Sequence, residues 1–493
     1  MKLVRWSQDE RRVADEQGAG VVEYVGIIVG VCLLIAGLVV VFPGVGSQLT
    51  CGLSRAVAAI GGNSAPSCAS SVAGPADGSG DGSGDGSGDG SALSLSPVSA
   101  DGTVPAGTSA ATMHLQAPDS VTCTVSSSAP WAMPTTTTTQ GSGDVSVTFR
   151  SNPGPTRRAT ITVACSDGQT TTQTVEQPGG TQTYVALGDS YSAAPGARAL
   201  QFHTGNPVVD AGLGLGFNLW VNDKGLLTDP SQELVEDKCA RGVLGWPRQL
   251  GNGHTTAYGT PDLQMSTAGF GACTGATTDG KNLVNDEVGT PNQSVAYQIE
   301  NSPDLAEADI VTLTIGGNDI GFAGVVTACI GANVFQNCGK KIAEARGLIA
   351  DGLQPRLEQN YNHVLDSARG ATVYVVGYPP AAEYDDVDNP SSPGRIKMKH
   401  REEAAALIED LNAKIADTVA KVNAERVANG EPARLVFVDP GAPDSPFIGH
   451  SASDPDPYVH TITVPPMPYS YHPNIAGNNA MADLMGEYML GYR

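Results

Sequence analysis

Four short stretches of this chain carry residue types that together perform acyl transfer. The apolar run at 184–187 leads straight into Gly188-Asp189-Ser190. That puts a hydroxyl at the carboxyl end of a strand, where open α/β sheets place their chemistry. Cys273-Thr274-Gly275-Ala276 is a small-residue turn, and its glycine offers a backbone N–H with no side chain in the way. A second buried strand, 310–315, ends in Gly316-Gly317-Asn318-Asp319. Close to the C-terminus, Ser470-Tyr471-His472-Pro473 supplies an imidazole. A serine nucleophile needs a base with a pKa near working pH, usually histidine. The charge that develops on the carbonyl oxygen needs fixed donors, and losing one costs about 10²–10³ in turnover. Each stretch also has a plainer reading. Gly-Asp-Ser and Gly-Gly-Asn-Asp are good turn chemistry, Asp319 suits a helix cap, and His472 before Pro473 suits a helix start.

Taken in order, Ser190, Gly275, Asn318 and His472 resemble the four blocks of the SGNH/GDSL hydrolase family, over about residues 182–493. The resemblance implies a flavodoxin-like α/β/α fold and ester hydrolysis without a cofactor. It assigns Ser190 as nucleophile and His472 as base. The Ser190 N–H, the Gly275 N–H and the Asn318 amide become the oxyanion donors. Cys239-Ala-Arg-Gly-Val-Leu-Gly-Trp-Pro and Cys273-Thr-Gly-Ala-Thr-Thr are similar to the secreted actinobacterial lipase and esterase branch.

One position departs from that pattern. Many family members carry Asp three residues before the histidine, and here Tyr469 stands there. A Ser–His dyad is therefore expected, with the backbone carbonyl of Tyr469 or Ser470 fixing the tautomer. The rival is a distant acid, Asp454 or Asp456. Asp189 reads as the residue that shapes the nucleophile turn, and Ser192 as a neighbour.

The elements that position these groups read as an alternation of strands and helices, as a parallel sheet requires. Strands are expected at 184–187, 310–315, 372–376 and 435–438, and helices at 348–367 and 402–426. The Gly-rich stretch 193–236 follows the nucleophile turn, and its Phe202, Phe217, Leu219 and Trp220 suit either an acyl pocket or packing. At 493 residues the chain exceeds one ordinary core. Residues 93–180 are rich in Thr, Ser and Val, with period-two alternation at 144–150 and 159–164, which predicts an immunoglobulin-like β-sandwich. The run from Trp131 to Pro178 resembles a BACON domain, a type often proposed to bind carbohydrate; a lone Trp131 suits the core better. Residues 43–92 hold a repeated Asp-Gly-Ser-Gly that cannot bury a core and reads as a self-repelling tether.

Residues 25–42 are 18 residues without a charge, and with Val21 and Val22 they make a credible membrane span. Lys2, Arg5, Arg11 and Arg12 precede it, which predicts an inside N-terminus and an extracellular bulk. Glu23 lies just inside, where a carboxylate is costly. The context of Gly18, Ala19 and Glu23 resembles a type IVb pilin leader, which implies cleavage after Gly18 and pilus or secretion machinery as partner. That divides the chain into a leader (1–18), a pilin-like transmembrane helix (19–42), the linker (43–92), the sandwich (93–180) and the hydrolase (181–493). The net charge of −23, from 28 basic and 51 acidic residues, argues against nucleic acid.

Nine cysteines fit an oxidising exterior. Cys32 lies in the span and is expected unpaired. The rest group by region as Cys51–Cys68, Cys123–Cys165, Cys239–Cys273 and Cys329–Cys338, one of on the order of 100 connectivities. The last two pairs resemble disulfides of the lipase branch. No cysteine follows Cys338, so the loop at 444–460 must be held otherwise. His and Cys nowhere cluster at metal-ligand spacing, so no metal is expected. The reading is a cell-surface carboxylic ester hydrolase. Its alternatives are a carbohydrate O-deacetylase of the same fold, or a pilin-like adhesin with an inactive hydrolase scaffold.

Overall fold

A computed structural model describes residues 93–200, 219–220, 239–242, 244–251, 263–281, 284, 289–329, 337–380, 400–452, 454, 456–460 and 471–493. The pilin-like segment with Gly18 and Glu23, the span at 25–42, the tether and the Cys51–Cys68 pair lie outside them. So do Phe202, Phe217, Tyr469 and Ser470. No helix among the described residues is long and apolar enough to cross a membrane.

The Thr/Val-rich region folds as two antiparallel four-stranded sheets. Its strands are β1 (Ser94–Leu95), β2 (Ser109–Gln116), β3 (Thr122–Ser127), β4 (Ala132–Pro134), β5 (Thr138–Gln140), β6 (Gly143–Phe149), β7 (Arg157–Cys165) and β8 (Thr170–Gln177). The orders are β1-β2-β6-β4 and β5-β3-β7-β8. Strand β7 shows why they face each other. Ala159, Ile161, Val163 and Cys165 point in while Arg158, Thr160, Thr162 and Ala164 stay accessible, so one face seeks cover. Met113, Leu115, Val145 and Val147 of the opposite sheet supply it. The expected disulfide joins Cys123 to Cys165, directly opposed on β3 and β7 within one sheet. Trp131 is a core residue, 2% exposed.

The hydrolase region is built on five parallel strands: β9 (Gln182–Gly188), β12 (Met265–Phe270), β13 (Ile310–Thr314), β14 (Thr372–Val376) and β15 (Leu435–Val438). Two short strands, β10 (Ala199–Leu200) and β11 (Leu219–Trp220), pair separately. The order β12-β9-β13-β14-β15 is the flavodoxin-like 2-1-3-4-5 arrangement, whose switch point lies beside the first strand. Both faces are covered, and β13 and β14 are buried throughout. The helices are α1 (Ser190–Ala193), α2 (Trp246–Gly251), α3 (Val295–Glu300), α4 (Phe322–Cys329), α5 (Cys338–Leu348), α6 (Gln354–Ser367), α7 (Arg401–Ala428) and α8 (Ile475–Leu490). One core, with Leu357, Tyr361, Leu407 and Leu411, covers one sheet face; another, with Trp246, Met481 and Met485, covers the other.

Three details differ from the sequence reading, one of them a strand it did not find. The helix expected at 348–367 is a π turn at Ile349–Leu353 followed by α6, and α5 runs into it from before. Strand β12, Met-Ser-Thr-Ala-Gly-Phe, carries no strong period because it is an edge strand with accessible side chains and a bulge between Thr267 and Gly269. Asp319 does not begin the helix that follows; its carboxylate accepts from Thr278 instead.

The sandwich meets the amino ends of the parallel strands. Thr108 Oγ1 lies 2.7 Å from Thr372 Oγ1, Ser151 Oγ donates to the Asp309 carbonyl at 2.9 Å, and the Gln264 N–H donates to the Pro153 carbonyl at 2.6 Å. Arg157 stacks 4.4 Å above the Trp131 ring and donates to the carbonyls of Arg150, Ser151 and Met489. All of this lies at the edge of the sheet opposite Ser190.

Candidate active site

Gly188 ends β9 in a sharp turn. Its φ is +122°, and a Cβ there would lie 2.4 Å from the Thr314 carbonyl, so only glycine lets the two strand ends approach. Asp189 then caps α1, accepting from the Tyr191 N–H at 2.9 Å. This places Ser190 at the first helical position, 6% exposed, with its N–H among the orphan donors of the helix start. The second turn ends at Gly275 (φ +81°), where a Cβ would meet Gln293 Nε2 at 2.6 Å. No acceptor among the described residues takes the N–H of Ser190 or Gly275. Asn318 Nδ2 donates one hydrogen to the Ala276 carbonyl at 2.9 Å, which fixes the amide and leaves its other hydrogen for the site.

His472 arrives from the far end of the chain. Its Nε2 lies 2.7 Å from Ser190 Oγ, inside the range a general base needs. Tyr191 packs beneath the imidazole at 5.1 Å between centroids, and its hydroxyl donates to the Tyr471 carbonyl at 2.8 Å. Tyr471 sits at φ +60°, a left-handed backbone that is uncommon for a bulky residue and costs on the order of 1–3 kcal/mol. The Tyr471 N–H donates to the His460 carbonyl, and the His460 N–H to the His472 carbonyl, at 3.0 and 2.9 Å. A short antiparallel ladder thus holds the histidine loop in that conformation. The orienting carbonyl expected from Tyr469 or Ser470 lies outside the described residues. Of the rival acids, Asp454 accepts from the Ser451 N–H, and the Asp456 carboxylate lies 3.9 Å from His450. The loop that lacks a cysteine is held by the Arg493–Asp444 ion pair at 2.8 Å and by His450 stacked on Tyr458.

Two buried carboxylates tie the turns together. Asp189 accepts from Thr314 Oγ1 at 2.7 Å and from Tyr378 Oη at 2.5 Å. Burial pushes its pKa up to about 6, against the pull of those two hydroxyls. Asp319 accepts from the Thr278 N–H with both oxygens at 3.2 Å and from Thr278 Oγ1 at 2.6 Å. Burial raises it to about 7, opposed by Thr278 and by Arg356 at 3.8 Å. Sequence reading assigned the turn-shaping role of Asp189 and missed Thr278, Tyr378 and Gln298. Gln298 brackets Gly188, accepting from its N–H and donating to its carbonyl. Nothing local marks these three; each acts through a contact more than 40 residues away.

The disulfides Cys239–Cys273 and Cys329–Cys338 form as expected. The first braces the turn that carries Gly275. A cavity of about 410 Å³ opens beside Gly275 and Asn318 and is lined further on by Ile320, Val325 and Leu348.

Residues 184–485 match the family model described as GDSL-like lipase/acylhydrolase. The chain belongs to the GDSL-like lipase/acylhydrolase family. As a GDSL hydrolase it is a serine enzyme acting on carboxylic esters. It is 28% identical to a lipase of Streptomyces rimosus over 296 residues, covering 60% of this chain and 82% of that one. It is 25% identical to Lipase 1 of Streptomyces coelicolor over 303 residues, covering 62% and 85%. Among solved structures, the extracellular lipase of Streptomyces rimosus aligns with a TM-score of 0.41 at 25% identity, over 62% of this chain and 99% of that one.

Proposed function

We propose that Ser190 and His472 perform the hydrolysis as a nucleophile–base pair through an acyl-enzyme. Ser190 Oγ attacks the ester carbonyl carbon while His472 Nε2 takes its proton. The oxygen, now an anion, is held by the N–H groups of Ser190 and Gly275 and by the free hydrogen of the Asn318 amide. The alcohol leaves with the proton returned by His472. Water then attacks the acyl-enzyme with His472 again as base, and Ser190 regains its proton. The carbonyl of Tyr469 or Ser470 is assigned to hold the imidazole tautomer. The acyl chain is assigned to the cavity beside Gly275 and Asn318, because an acyl carbon bound at the donors directs its chain there. The 2.7 Å contact between His472 and Ser190 carries this reading.

Turnover of p-nitrophenyl esters by the Ser190→Ala protein tests it. A loss of at least about 10³-fold in a folded variant is expected, and undiminished turnover rules the assignment out. Profiling from acetate to palmitate, beside acetylated sugars, separates a lipase-like enzyme from the O-deacetylase alternative. An inactive adhesin would leave every ester untouched.

The uncharged run at 25–42 and the basic residues before it support a further assignment: a single-pass anchor with the catalytic region outside the cell. The sandwich then acts as a stiff spacer or a BACON-like binding module. Mass spectrometry of the mature N-terminus is the check. Ala19 as first residue supports pilin-type processing after Gly18, and an intact Met1 excludes it.

A further inference from the structure

We propose that Tyr378 is a positioning residue that keeps the nucleophile turn, the oxyanion turn and the support of the base in one register. The proposal rests on the reading of Ser190 as nucleophile. Tyr378 follows β14 at the carboxyl edge of the sheet and is 4% exposed. Its hydroxyl donates to Asp189 Oδ2 at 2.5 Å and accepts from the Gly317 N–H at 2.8 Å. One oxygen therefore bridges the residue before Ser190 and the residue before Asn318. Its ring meets Tyr191 edge to face, with centroids 4.9 Å apart, and Tyr191 is the ring beneath His472. All three parts of the site thus abut a single side chain.

Tyr378 is itself held firmly. Asn412, buried on α7, accepts from its N–H at 2.8 Å and donates to its carbonyl at 2.9 Å. Gly317 leaves no room for slack, since a Cβ there would lie 3.1 Å from the Tyr378 ring and hydroxyl. Burial next to the Asp189 carboxylate raises the phenol's pKa well above its ordinary value, so the hydroxyl stays a donor. Positions of donors and base set to within about 0.5 Å are what oxyanion stabilisation requires, and second contacts of this kind supply them.

Tyr378→Phe deletes the bridging oxygen and keeps the ring. A p-nitrophenyl ester serves as substrate, an alkyl boronate as transition-state mimic, and a fluorophosphonate counts reactive serines. We expect kcat per labelled site to fall about 10- to 100-fold, KM to stay within about twofold, and boronate affinity to fall in proportion to kcat. Wild-type kcat per labelled site, or a change confined to KM, overturns the proposal. Should the variant fail to fold, Gly317→Ala presses a methyl on the same ring; the same kcat loss is expected, and an unchanged kcat overturns the proposal. Absence of labelling in the wild-type protein would instead count against Ser190, so the two failures are told apart.

Discussion

His472 Nε2 stands 2.7 Å from Ser190 Oγ although 282 residues separate the two in the chain. The pairing brings together parts far apart in the sequence. Ser190 is set by the turn between β9 and α1. His472 is set by a two-rung ladder to His460 and by the Tyr191 ring.

Asn318 is the donor most open to a clean test. Asn318→Ala removes the amide from the site and from the Ala276 carbonyl together. A fall in kcat of about 10²–10³ with little change in KM is expected in steady-state assays. A KM effect alone would mean that Asn318 binds ground-state substrate and not the developing anion.

Asp189 and Asp319 give the fold a characteristic pH response. Both carboxyls are raised from 3.8 by burial, to about 6 and about 7. Between about pH 4 and pH 7 the native state therefore holds protons that the unfolded chain has already released. Stability from these groups is fully present below that window and is lost as pH rises through it. For Asp319 the effect is on the order of 4 kcal/mol. Urea unfolding from pH 4.5 to 8 checks this: Asp319→Asn should flatten the decline seen in the wild type. Parallel curves for the two proteins would contradict it.

The junction makes a mechanical claim. Arg157 donates to Gln177 at 2.8 Å and to three backbone carbonyls while stacked on the Trp131 ring. Arg157→Leu leaves those acceptors unsatisfied, at a cost of about 3 kcal/mol or more. Sandwich and hydrolase are expected to unfold together, with tryptophan emission and esterase activity lost at one urea concentration. Separate transitions would show that the sandwich is an independent module.

Much of this was legible in the chain. Residues 372–376 and 435–438 read as strands with their true bounds because β14 and β15 are rich in β-branched and aromatic residues. Ser190 and Asn318 stood out because each follows an apolar strand, Gly275 because it lies in a turn of small residues, and His472 because it completes the order of the four blocks. Strand β12 escaped notice since an edge strand need not alternate. Asp319 read as a cap because capping is a local habit, whereas its partner Thr278 is 41 residues away. Tyr378 carries no local signal; it is buried, and only the fold shows that its hydroxyl faces two turns at once.

The most direct measurement is peptide mapping by mass spectrometry after reaction with a fluorophosphonate. One adduct per chain is expected, on Ser190, absent from Ser190→Ala and slowed by about 10³-fold or more in His472→Ala. An adduct on another residue, or labelling that proceeds at full rate without His472, would contradict the pairing on which the mechanism stands.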